Sequence, residues 1–213
     1  MTSILARAAT MIAPPFCWGC GADARMGDPL CAACRLELRW QGPDPVELEG
    51  VLAWAPLAYA GPARSVVAGL KYRGATALAE PMAAAIAAGA PSPMLLPGVP
   101  LVPVPIHPAR RRTRGFNQAE RIATALARRR GLEVVGCLRR RGSSRRQVGR
   151  DRHDRHEGPA GAFVADARWV PRRAVLVDDV ITTGSTLAAC AAALRSAGCS
   201  EVIALAYART PGR

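Results

Sequence analysis

Short apolar runs alternate with longer stretches of mixed polarity along most of this chain. VLAWAPLAYA, from Val51, reads as one strand or a pair of short strands. GPARSVVAGLKYRG follows as a helix, with Pro62 in its first turn and Gly74 near its end. ATALAEPMAAAIAAG reads as a further helix, with Pro81 tolerable only near its beginning. Strand and helix signals then succeed one another: LVPVPI, FNQAERIATALARRR, LEVVGCL, AVLVDDV, STLAACAAALRSAG and EVIALAYA. Apolar runs unbroken by polar residues belong to strands covered on both faces. The pattern therefore predicts an α/β fold, a doubly wound and mostly parallel sheet with helices on both sides.

Three stretches stand outside this rhythm. The beginning, MTSILARAATMIAPPF, reads as a short helix; Arg7 interrupts its apolar run and no basic leader precedes it, which argues against a secretory signal. QGPDPVELEG is a polar, Pro-rich connection ahead of Val51. From Arg139 to Pro159 a basic segment with Gly142, Gly149 and Gly158 has neither helical nor strand period, and loops that long are mostly functional or disordered. The chain divides accordingly into residues 1–45, a helix and a cysteine-rich module, and residues 46–213, the α/β domain.

Within the first unit, PFCWGCGADARMGDPLCAACRLEL holds Cys17, Cys20, Cys31 and Cys34 as two CxxC pairs separated by ten residues. Two such knuckles, brought together by a short hairpin, form a tetrahedral thiolate set, and zinc is the ion that spacing favours over a redox or iron site. A segment this short has little apolar surface to bury, so the metal would supply much of its ordering energy. Four protein sulfurs leave no open position, which makes the module a scaffold or recognition surface. The longest uncharged stretch, Pro81 to Ile106, contains seven prolines, so it is not a spanning helix and no membrane insertion is expected. These signals together predict a cytoplasmic protein, in which seven cysteines would remain reduced.

Charge sharpens the picture. The formal net charge is +13, and the window from Arg110 to Arg155, with sixteen arginines against four acids, carries +12 of it. A single surface arginine is ordinary; a cluster of this density points to an anionic partner.

The chemistry concentrates in VLVDDVITTGSTLAAC. Val175, Leu176 and Val177 would lie inside the sheet, so Asp178 and Asp179 emerge at its carboxyl edge, where open α/β sheets bind ligands. Thr182, Thr183, Gly184, Ser185 and Thr186 form the turn into the next helix. Free N–H groups, the helix dipole and several hydroxyls there make a phosphate cradle. Two carboxylates beside a phosphate need a different partner, and a ribose diol offers two donors to groups that only accept. The combination describes a pocket for a ribose 5-phosphate.

DDVITTGST resembles the phosphoribosyl pyrophosphate signature of type I phosphoribosyltransferases. The ordered set of CxxC…CxxC, LKYRG, VPVPIHPARRRTRGFNQAERIA and that signature resembles, more narrowly, the ComF family, over most of the chain from about Cys17. The resemblance implies a type I phosphoribosyltransferase fold behind a zinc-ribbon-like module. It also implies phosphoribosyl pyrophosphate with magnesium as ligand, and a role in natural competence, with single-stranded DNA and competence proteins as partners. Carried over, Asp178 and Asp179 would hold the ribose hydroxyls and Thr182 to Thr186 the 5-phosphate. The loop HPARRRTRGFNQ would clamp the pyrophosphate, with Arg114 and Gly115 the first choices. The basic segment 139–159, with Arg146 and Gln147, would be the lid; the chain departs from the family there at Arg150 and Gly158. Lys71, the single lysine, is open to two readings, a group near the pyrophosphate or magnesium and a helix-end cation. Tyr72 is equally open between stacking and packing, and His107, His153 and His156 are candidate proton carriers. Three functions stay open: a ligand-binding protein that handles DNA through its basic window and the aromatics Phe16, Trp18 and Trp40, an active phosphoribosyltransferase on an unknown acceptor, and an adaptor with a relic pocket.

Overall fold

The computed structural model describes residues 16–141 and 161–211. The expected N-terminal helix and nearly all of the basic loop, with Arg146, Gln147, His153 and His156, lie outside the described residues. In chain order the elements are α1 (Ala32–Leu36), β1 (Val46–Leu48), β2 (Val51–Trp54), β3 (Leu57–Ala58), α2 (Gly61–Tyr72), α3 (Ala79–Gly89), β4 (Leu101–Pro103), α4 (Pro108–Arg114), α5 (Gln118–Arg130), β5 (Leu138–Arg140), β6 (Phe163–Ala165), β7 (Arg173–Ile181), α6 (Ser185–Ser196) and β8 (Glu201–Arg209).

The main sheet runs β1-β2-β8-β7-β4, with β3 continuing beyond β2 along β8. Every pairing in it is parallel except β1 with β2. The expected α/β class and mostly parallel sheet are what the structure has. Apolar side chains of β7 and β8 alternate between two cores. Val175, Val177 and Leu205 face a core with Val66, Leu70, Met82, Ile86, Ile122 and Leu126 of α2, α3 and α5. Leu176, Ala204 and Ala206 face Leu187, Cys190 and Leu194 of α6 and the β5–β6 ribbon. Each fully buried aliphatic chain of this kind contributes about 1.5–3 kcal/mol, so these central strands are held from both sides.

Three local readings are corrected by the structure. The polar connection ahead of Val51 contains a strand, β1, joined to β2 by a two-residue hairpin in which Glu49 and Gly50 both have positive φ. The arginine loop after LVPVPI is a short helix, α4. His107 caps it, its Nδ1 accepting from Ala109 N at 3.2 Å, Pro108 is its first residue, and Gly115 closes it at φ +81°. LEVVGCL is not a strand of the main sheet. Val134 makes one bridge to Leu101, and Leu138 to Arg140 pair with Phe163 to Ala165 as a separate antiparallel ribbon.

Candidate functional site

The four N-terminal cysteines converge. Their sulfur atoms all lie within 4.8 Å of one another, with Cys20 Sγ and Cys31 Sγ 3.7 Å apart. A tetrahedral ion with bonds of about 2.3 Å to sulfur needs neighbouring sulfurs about 3.8 Å apart, so the donor set fits a metal such as zinc. The first knuckle is closed by a bridge between Phe16 and Asp23, and Gly19 N points at Cys17 Sγ at 3.3 Å. The second knuckle opens α1, whose N-cap is Cys31. A side chain at Gly19 would place its Cβ 2.8 Å from Cys34 Sγ, so glycine is required there by closeness to the ligand set. Burial alone would push the Cys17 thiol up, but backbone N–H groups of Cys31, Cys20 and Gly19 and the Cys34 thiol outweigh it and bring it down to about 6. Burial pushes the Cys34 thiol up, reinforced by its three sulfur neighbours.

The cysteine segment packs against α2 through Trp18. A Cβ added to Gly69, in the middle of α2, would come within 2.5 Å of the Trp18 ring, and Arg73 lies over that ring at 5.9 Å. Trp18 is therefore packed on a helix face, and, half-buried, it also lines a cleft with Phe16. Phe16 and Trp40 are exposed.

The second site is a cleft at the carboxyl edge of the sheet. β7 pairs with β8 as far as Ile181, whereas β4 leaves β7 at the pair Pro103–Val177. Asp178 and Asp179 are thus still strand residues, but they follow the point where the neighbouring strand has ended. Consecutive strand residues project to opposite faces, and the structure shows it: Asp179 meets Lys71 of α2, while Asp178 lies on the α6 side, near enough to Cys190 to push that buried thiol further up. Both acids nevertheless line one cavity of about 310 Å³, together with Thr182, Thr186, Lys71, Arg110, Gln118 and Arg140.

Asp179 is 2% exposed. Lys71 Nζ lies 2.5 Å from its Oδ2, with a side chain 21% exposed. The ammonium thus answers a carboxylate oxygen that no other group reaches. Asp178 Oδ1 accepts from Asp179 N at 2.8 Å. Burial, with the Asp179 charge next to it, holds the Asp178 carboxyl well above the usual carboxylate range, and Lys71 offsets this in part.

The turn after β7 runs directly into α6. Gly184, at φ +90°, is the N-cap of α6, and a Cβ on it would lie 2.7 Å from Leu48 Cβ, so the β1–β2 hairpin holds this turn from behind. Thr183 Oγ1 and Ser185 Oγ are 2.6 Å apart, and Ser185 N points at Thr183 Oγ1 at 3.4 Å. Thr182 and Thr186 face the cavity, and the first N–H groups of a 12-residue helix open beside them. Arg114 lies next door, in a neighbouring cleft, where its Nη1 donates to Gln118 Oε1 at 2.5 Å. Arg110 lines both clefts, and Gly115 acts as the C-cap of α4. Tyr59 was not expected in the site, whereas Gln118 and Arg140 were expected only as members of the HPARRRTRGFNQ loop and of the basic segment 139–159. Gln118 carried a further signal, its place in RGFNQ at the start of a helix, and Arg140 the charge of its segment; Tyr59 arrives from a remote element and carried none.

No family model matches the chain. It is 35% identical over 115 residues to competence protein F of Haemophilus influenzae, covering 51% of this chain and 49% of that one. It is 31% identical over 101 residues to competence protein ComFC of Streptococcus pneumoniae, covering 47% of this chain and 44% of that one. The chain thus spans about half the length of the curated relatives it matches. A solved structure described as the allosteric regulatory enzyme of purine biosynthesis superposes with a TM-score of 0.40 at 19% identity, over 60% of this chain and 25% of that one, a likeness too distant to argue from. The similarity expected from the ordered motifs is found with two proteins named for competence, over about half of this chain and half of each of theirs.

Proposed function

We propose that the cleft at the end of β7 binds phosphoribosyl pyrophosphate as its magnesium complex. The observation that carries this reading is the convergence of two carboxylates, a helix N-terminus flanked by Thr182 and Thr186, and the cations Lys71, Arg110 and Arg140 on one cavity. The first N–H groups of α6, with Thr182, Thr183, Gly184, Ser185 and Thr186, would hold the 5-phosphate. Asp178 and Asp179 would accept from the ribose hydroxyls. Lys71 and Arg110 would face the pyrophosphate, with Arg114 and Gly115 behind them on α4, and guanidinium groups suit phosphate oxygens because they donate in pairs. Magnesium would neutralise pyrophosphate charge when bound, and the carboxylates beside the cavity are donors of the kind it accepts.

The four cysteines are proposed to hold structural zinc, and residues 1–45 to act as a module joined to the larger unit 46–213. The names of the two relatives support a role in natural competence, in which the site would serve the handling of incoming DNA.

Titration calorimetry with magnesium phosphoribosyl pyrophosphate tests the reading. Wild-type chain should bind one equivalent, and Asp178→Asn with Asp179→Asn should weaken that binding about 100-fold or more, each lost charge-assisted hydrogen bond being worth about 1.5–3 kcal/mol. Asp178→Asn alone, which keeps the Lys71–Asp179 pair, guards against a loss that reflects unfolding. A wild-type chain that takes up no phosphoribosyl pyrophosphate refutes it.

A further inference from the structure

A second cleft opens beside the first. It encloses about 600 Å³ and is lined by Lys71, Tyr72, Gly74, Arg110, Thr113 and Arg114. Lys71 and Arg110 line both clefts, so the two meet along these side chains. Its lining holds three cations and no acid. Lys71 is paired with Asp179, but among the described residues Arg110 and Arg114 have no carboxylate partner, unlike Arg111, which meets Glu120 at 3.3 Å.

Tyr72 is the unusual member. It ends α2 with 77% of its surface exposed, and the Arg114 guanidinium lies over its ring at 5.7 Å. Arg114 is itself held by Gln118, a buried side chain that faces the acidic cleft, so the position of the Tyr72–Arg114 pair is set from the first site. A phosphate alone has no use for an open aromatic face, and an apolar ligand none for two unpaired guanidinium groups. The surroundings suit a molecule that is aromatic at one end and anionic at the other. The volume exceeds that of a phosphate group and lies within the range of small-molecule sites.

We propose that this second cleft binds a nucleotide unit, its base stacked on Tyr72 and its phosphate on Arg110 and Arg114. The choice of a nucleotide over other aromatic anions rests on the reading of the adjoining cleft as a phosphoribosyl pyrophosphate site. Aromatic and guanidinium groups bind bases by their faces, without regard to sequence. The lining offers no Asn, Gln or carboxylate to read a base edge, so purines and pyrimidines should bind alike. The unit has two sources, a free nucleotide or a residue of a single nucleic-acid strand.

The test is calorimetry on the full, metal-loaded chain with dTMP, dAMP and a 15-residue thymidine strand, each with wild type, Tyr72→Ala and Tyr72→Phe, and with magnesium phosphoribosyl pyrophosphate in parallel. Tyr72→Ala should weaken nucleotide binding about tenfold or more and Tyr72→Phe less than about threefold, as loss and retention of a stacking face dictate. Phosphoribosyl pyrophosphate binding should be unchanged in both. Equal affinity for mononucleotide and strand assigns the site to free nucleotides, and a strand bound at least about tenfold tighter assigns it to nucleic acid, as the contacts and counterion release of a longer anion dictate. Absence of binding to all three nucleotide probes overturns the proposal. So does nucleotide affinity indifferent to Tyr72→Ala, or an equal loss of phosphoribosyl pyrophosphate affinity, which would make Tyr72 part of the first site. If phosphoribosyl pyrophosphate fails to bind while Tyr72-dependent nucleotide binding persists, the first reading falls and this one stands.

Discussion

The cysteine module and the acidic cleft solve opposite problems. The module draws four ligands from eighteen consecutive positions, Cys17 to Cys34, and turns all of them on one point. The cleft draws Tyr59, Lys71, Arg110, Gln118, Arg140 and Asp178 to Thr186 from elements spread over most of the chain. Its charges are left only partly answered, with burial and the neighbouring Asp179 charge holding the Asp178 carboxyl well above the usual range. A set that closes on itself gives order to the chain; a set that stays unbalanced is held in place by order made elsewhere, and is thereby free to take up a ligand.

Breaking the closed set should have the largest effect. Cys34→Ser, or chelation, should abolish the binding of one metal ion per chain and remove hydrogen-exchange protection from residues 16–41, while the sheet retains its own. Structural zinc in small modules supplies about 10–16 kcal/mol, far more than a segment of this size can recover by burial. Metal analysis and peptide-resolved exchange check this.

An intermediate effect should come from the seam between the regions. Gly69→Ala sets a methyl group against Trp18 and should cost about 1–3 kcal/mol by overpacking. Trp18→Ala in the same chain should recover part of that loss, since the two residues share one contact. Thermal unfolding of the four members of this cycle measures it.

The smallest effect lies in the cleft and has the opposite sign. Asp178 holds its proton more tightly in the folded chain than in the unfolded one. Its contribution therefore favours folding below the ordinary carboxylate value of 3.8 and is lost as pH rises from there to its raised folded value. Asp178→Asn keeps the acceptor for Asp179 N and removes the buried charge. Its melting temperature should match wild type near pH 3 and exceed it increasingly toward neutral pH, by about 2–4 °C for each kcal/mol relieved. Such a gain, accompanied by loss of ligand binding, is what a site maintained against stability should show.

The same contrast explains what could be read in advance. Cysteine spacing and the DDVITTGST run are local, so both were legible as strings of letters. The strands β7 and β8 were legible too, because residues 174–177 and 202–208 are unbroken apolar runs within them. β1 was not: three residues after Pro45, one of them Glu47, carry little pattern, and the Glu49–Gly50 turn lacks the favoured Asn or Asp. α4 has no buried residue and hence no apolar stripe, although His107, Pro108 and Gly115 marked its ends. Arg140 reached the cleft through the β5–β6 ribbon, a pairing across the long basic segment that no local pattern announces.

Lys71 has one more consequence. It is the chain's sole side-chain amine, in a protein that otherwise carries its positive charge on arginine, and it sits against Asp179 at the floor of the cleft. Reductive methylation with carbon-13 formaldehyde would therefore install an isotopic reporter on the one lysine while preserving its charge. A single resonance from that dimethylammonium would register, without any substitution, whenever its carboxylate neighbour changes company.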